Sequence, residues 1–200
     1  IGAEWALEYL NSLQSNPAYE LQLAYGVYAA ARMNAELGTT YDIAKMLNWC
    51  FDIGPLRNWG TMGKDDNWFG YDCGGLTGEV NGVNNYAFAM NTFEQLGALV
   101  PLVRYDARFA RAIAKWTLNA ANAARLFYPN YLPDENQDSR SWSASNDPNS
   151  YIAHEALRQY KSYIGPSNNT PGPYATGDAI KGGWAATNLS LYSSSHVGIF

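Results

Sequence analysis

The stretch Asn67-Trp68-Phe69-Gly70-Tyr71-Asp72-Cys73-Gly74-Gly75-Leu76-Thr77-Gly78-Glu79 decides the fold. It shows no sustained alternation of apolar and polar side chains, and no Asn-Gly or Asp-Gly pair is read as a hairpin between β-branched runs. Strands are therefore expected to be minor, and the stretch reads as part of a long connector over 52–82.

Helical patterns flank it on both sides. Downstream, Tyr86, Met90, Phe93, Gly97 and Val100 recur at three- and four-residue steps from about Asn84 until Pro101 interrupts. Asp106 then caps a helix whose Phe109, Ile113, Trp116, Ala120, Ala123 and Phe127 form one stripe, ending before Pro129. Asp147-Pro148 repeats the cap-then-proline signal and predicts a helix through Tyr160, and a short helix is expected from Trp184 to Tyr192. Upstream, Asp42 caps a segment with Ile43, Met46, Leu47 and Cys50 on one face. Asn16-Pro17 and Gly38 bound a long helix whose apolar residues, among them Leu23, Ala24, Tyr25 and Val27, cover most of its circumference and predict an inner helix. A shorter pattern runs from about Ala3 to Ser15. The expected class is all-α, with 1–200 forming a single helical-hairpin domain.

At 200 residues, 47% apolar and 16% charged, the chain is long enough to bury the core of one domain. A net charge of -5 opposes attraction to phosphate backbones and anionic lipid, and no apolar run reaches the roughly 20 residues of a membrane-spanning helix. Neither nucleic acid nor membrane is an expected partner. The sequence begins at Ile1 and stops at His196-Val197-Gly198-Ile199-Phe200, which reads as processing or truncation of a longer chain, and an extracellular or periplasmic location is expected. Cys50 and Cys73 read as buried free thiols, with a single bridge between them as the alternative. There is no Gly-x-Ser-x-Gly elbow, phosphate loop, zinc helix or EF-hand spacing, and His154 and His196 are too few for a multi-histidine metal site, so no cofactor or metal is expected.

Connections near Gly38 and Pro101 are short, whereas those over 52–82, 129–147 and 161–183 are long; antiparallel helices would bring the first two long ones to one end. Together with Asn67 to Asp72, Gly74 to Glu79, the helix from Asp106 to Phe127, and Asp147-Pro148 with Glu155, this arrangement resembles the (α/α) toroids of six-hairpin glycosidases and related polysaccharide lyases. The resemblance covers about 1–160, and a whole toroid would need more hairpins than this length holds. It implies a toroid or partial toroid with functional loops on one face, and a glycoside hydrolase acting on a polysaccharide or oligosaccharide. The alternatives are a non-catalytic carbohydrate-binding or surface-assembly domain and, third, a polysaccharide lyase.

Glycoside cleavage needs one carboxyl group kept protonated and one ionised, about 6.5 to 9.5 Å apart in an inverting enzyme. Glu79, set among Gly74, Gly75, Gly78 and Gly82, is the expected general acid; the glycines could equally just turn the chain and leave it solvated. Asp72, beside Trp68, Phe69 and Tyr71, is a candidate base or else a turn residue satisfying nearby backbone N–H groups. Glu155 is the preferred second carboxylate, and its neighbour His154 would suit substrate contact or proton abstraction in a lyase. Trp59, Trp68, Tyr71, Trp142 and Trp184 are candidates for stacking on a sugar, with shielding of the core as the competing use. Arg57 would pair with a uronate or with a loop carboxylate. Asp106 and Asp147 read as caps rather than catalysts.

Overall fold

Helical periodicity becomes helix over five described segments of this chain. A computed structural model describes residues 2–17, 20–55, 58–63, 67–80, 85–127, 131–137, 156–160 and 171–176. Helices α1 (Gly2–Ser12), α2 (Glu20–Leu37) and α3 (Ile43–Phe51) follow the upstream patterns. Gly38, at φ +72°, ends α2 in the left-handed conformation that glycine tolerates. The Asn34 side chain then closes the turn, donating to the Tyr41 carbonyl at 2.9 Å and accepting from the Tyr41 N–H at 2.9 Å. Asp42 caps α3 by accepting from the Lys45 N–H at 3.0 Å. The Asn16 side chain donates through Nδ2 to the Trp49 carbonyl at 2.9 Å, tying the segment before α2 to α3.

Downstream, α4 (Ala89–Leu102) precedes α5 (Ala110–Ala123), and 3-10 turns over Ala107–Phe109 and Ala124–Phe127 extend α5 at its two ends. The α5 stripe is buried as expected at Ile113, Trp116, Ala120 and Ala123. The inner helix is α4 rather than α2. Thr92, Phe93, Gln95, Leu96, Leu99 and Leu102 of α4 are all buried, whereas Tyr25 of α2 is 46% exposed. Both α3 and α4 pack on α2, which turns Leu23, Ala24, Val27, Ala30 and Ala31 inward.

The expectation of an all-α fold is overturned. Strands β1 (Trp59–Thr61), β4 (Thr77–Glu79), β5 (Tyr86–Phe88), β6 (Ala156–Tyr160) and β7 (Pro171–Thr176) form one antiparallel sheet in the order β1-β4-β5-β6-β7, while β2 (Asn67–Trp68) and β3 (Tyr71–Asp72) make a separate ribbon. The class is α+β, and the (α/α) toroid is absent. The helix expected from Asn84 starts at Ala89 after a strand, and the helix expected to end at Tyr160 gives way to β6 over its described part. Three-residue strands are too short to show alternation in the sequence. Their pattern emerges only when the register joins them: Gly60, Gly78, Ala87, Leu157 and Ala175 lie directly opposite one another across five strands. All five are buried, and Ala87, Leu157 and Ala175 belong to the hydrophobic core.

Polar groups lock sheet to helices. The Cys50 carbonyl near the end of α3 accepts from Gln95 Nε2 of α4 at 3.0 Å and from the Thr61 hydroxyl of β1 at 3.4 Å. The hydroxyls of Thr61 and Thr77 lie 3.1 Å apart, and the Thr77 N–H donates at 2.9 Å to the Thr92 hydroxyl, which itself donates to the Phe88 carbonyl at 2.6 Å. The connector between β1 and β4 is fastened to α5. Trp116 Nε1 donates to the Gly75 carbonyl at 2.9 Å, and a Cβ at Gly75 would lie 2.5 Å from the Ala120 nitrogen. At the far edge β7 contains Pro171 and Pro173, and Gln137 forms a parallel bridge to Ala175.

Cys50 and Cys73 are free and buried, and burial pushes the Cys50 thiol up from its ordinary range. Both thiols should therefore resist iodoacetamide at pH 8 in the native protein and alkylate together after denaturation, as mass spectrometry would register; labelling of the native protein would mean that the core opens at these sites. The glycines differ in a second, measurable way. Gly75 sits at φ +92° against Ala120, whereas Gly38 has open space around it. Gly75→Ala should cost about 2–4 kcal/mol of stability in urea titrations, against about 1 kcal/mol for Gly38→Ala. Equal losses would show that the fastening to α5 is dispensable.

Candidate functional site

Side chains directly opposite in an antiparallel pair stand on the same face of the sheet. The register pairs Trp59 with Glu79, Glu79 with Tyr86, Tyr86 with Arg158, and Arg158 with Tyr174. One row of side chains thus crosses all five strands on the face opposite the buried glycines and alanines. With strands about 4.8 Å apart, the row spans about 19 Å.

Trp59 is sunk at one end, 8% exposed, while Glu79, Tyr86, Arg158 and Tyr174 are half-buried. Phe88 supports the aromatic end. Its ring stacks on Trp59 at 5.5 Å with an interplanar angle of 23° and meets Tyr86 edge-on at 5.0 Å. Glu79 is thereby flanked in the register by Trp59 and Tyr86 on neighbouring strands. Arg158 lies two strands away, about 10 Å by strand spacing, and Tyr86 and Tyr174 flank it in the same way. Alongside the row, Asn85 Nδ2 donates to Gln159 Oε1 at 2.9 Å and the Gln159 N–H donates to the Asn85 carbonyl at 2.9 Å, tying β5 to β6. Phe69, from the turn of the ribbon, meets Tyr160 of β6 edge-on at 5.4 Å.

Of the residues singled out in the sequence, Trp59 and Glu79 come together in this row. The others go elsewhere or lie outside the described residues. Trp68 is 4% exposed and belongs to the hydrophobic core, and its partner in the ribbon, Tyr71, packs against that core. Asp72 uses both oxygens: Oδ1 accepts from the Gly74 N–H at 3.0 Å and Oδ2 from Asn122 Nδ2 of α5 at 2.6 Å. This is the turn use of an aspartate, and it directs the carboxylate to α5 while Glu79 stands in the row. Arg57, Trp142, His154, Glu155 and Trp184 lie outside the described residues.

Tyr86, Arg158 and Tyr174 were not singled out in the sequence, because their neighbours in the row come from positions far apart along the chain. A local signal did exist for part of it. Val80-Asn81-Gly82-Val83 places Asn-Gly between β-branched residues in the segment that joins β4 to β5, which is a hairpin signature. Among the described residues no group of three or more His, Cys, Asp and Glu side chains is placed to hold a metal ion, and no helix is long and apolar enough to cross a membrane. Comparison with protein-family models, with curated proteins and with solved structures finds no match to this chain.

Proposed function

We propose that the chain binds a carbohydrate along the half-buried part of this row and does not cleave it. The supporting observation is the register that sets Trp59, Glu79, Tyr86, Arg158 and Tyr174 side by side. Sugars present apolar faces edged with hydroxyls. Tyrosine rings supply matching apolar surface, a carboxylate accepts from hydroxyls, and a guanidinium donates to them. Glycosidic cleavage would ask for a second carboxyl group facing Glu79. The described part of the row supplies only Glu79, Asp72 is committed to Gly74 and Asn122, and the toroid on which the hydrolase expectation rested is replaced by a sheet.

Calorimetric titration with soluble neutral and uronate-bearing oligosaccharides tests this reading, with product analysis run on the same mixtures. At least one oligosaccharide should bind the wild type. Tyr174→Ala and Glu79→Gln should each weaken it about tenfold, the loss of one stacking ring or one charge-assisted hydrogen bond. Circular dichroism would verify that both variants are folded. Absence of binding across the panel overturns the proposal. Release of shorter sugars by the wild type, abolished in Glu79→Gln, would replace it with an enzyme.

A further inference from the structure

We propose a second binding site, for an oxyanion carried on a flat apolar body, in the cleft between α5 and the end of β1. The cleft has a volume of about 590 Å³ and is lined by Phe51, Met62, Gly75, Arg111, Lys115 and Trp116, among others. Phe51 and Trp116 meet edge-on at 5.0 Å and 85°, forming an aromatic floor. The Trp116 N–H is already donated to the Gly75 carbonyl, so the indole offers a ligand its ring alone. Polar recognition falls to the basic wall.

That wall runs against the charge of the whole chain. The net charge is -5, yet the sequence from Ala107 to Phe127 contains Arg108, Arg111, Lys115 and Arg125 and not one acidic residue. Arg108 is engaged by Asp106, through Nε at 2.9 Å and Nη2 at 2.6 Å. Arg111 and Lys115 have no such partner among the described residues. They stand one helical turn apart, where like charges repel, and both are exposed at the mouth of the cleft. An anion between them would relieve that repulsion and gain charge-assisted hydrogen bonds, with its apolar body against Phe51, Met62 and Trp116.

Benzoate and phenyl phosphate serve as probes with the two kinds of oxyanion; benzyl alcohol keeps the ring without the charge, and inorganic phosphate the charge without the ring. Binding is read by calorimetry at low salt and by the NMR signal of the Trp116 indole N–H. We expect benzoate or phenyl phosphate to bind and to shift that signal, with affinity falling about tenfold or more in Arg111→Gln/Lys115→Gln. Tyr174→Ala, which alters the sheet row, should leave this binding unchanged, so the two sites fail or stand separately. The proposal is overturned if neither charged aromatic probe binds at millimolar concentration, or if the folded double variant binds as tightly as the wild type. It is equally overturned if benzyl alcohol matches the charged probes, or if inorganic phosphate matches phenyl phosphate.

Discussion

The carbonyl oxygen of Cys50 is the point on which helices and sheet are joined. The last four carbonyls of a helix have no partner within it, and leaving such a group buried and unsatisfied costs about 1–3 kcal/mol. Here Gln95 of α4 and Thr61 of β1 both donate to it. The contact chain continues through Thr77 and Thr92, so α3, α4, β1 and β4 share one polar knot within the core. Slipping a strand by a single residue would exchange its two faces. The knot opposes such a slip, which would exchange the faces that Glu79 and Gly78 occupy.

A second constraint sets the space beside α5. Gly75 presses its backbone against Ala120 and gives its carbonyl to Trp116, while its N–H donates to the Met62 carbonyl at 2.9 Å. Helix, connector and the end of β1 are thereby held at a fixed separation. The cleft lies beside this close approach, which glycine permits, with Phe51 and Met62 among the residues that line it.

The helices were legible in the sequence and the sheet was not, for one physical reason. A helix of nine residues or more repeats its burial pattern within itself, as Ile43, Met46, Leu47 and Cys50 do in α3. A strand of three residues cannot; Tyr86-Ala87-Phe88 looked like the start of α4 because Tyr86 also fits a four-residue step to the helix behind it. The inner helix was misassigned because α2 is rich in alanine and tyrosine, residues that serve half-exposed faces as well as cores, whereas the buried Thr92 and Gln95 of α4 look polar until their partners are known. The candidate site was half legible. Trp59 and Glu79 stood out by residue type and by their glycine-rich setting, but Arg158 and Tyr174 acquire their place from strand pairing between distant segments. Asp72 takes the turn use of an aspartate, accepting from the Gly74 N–H.

The prolines of β7 have an effect beyond the chain itself. Open sheets risk growing by recruiting a strand from another molecule, because a border strand presents unused amide hydrogens. Pro171 and Pro173 have none to present, and Gln137 already occupies the backbone at Ala175. Lateral polymerisation through this border is disfavoured, and recognition by the sheet is left to the broad surface formed by its side chains.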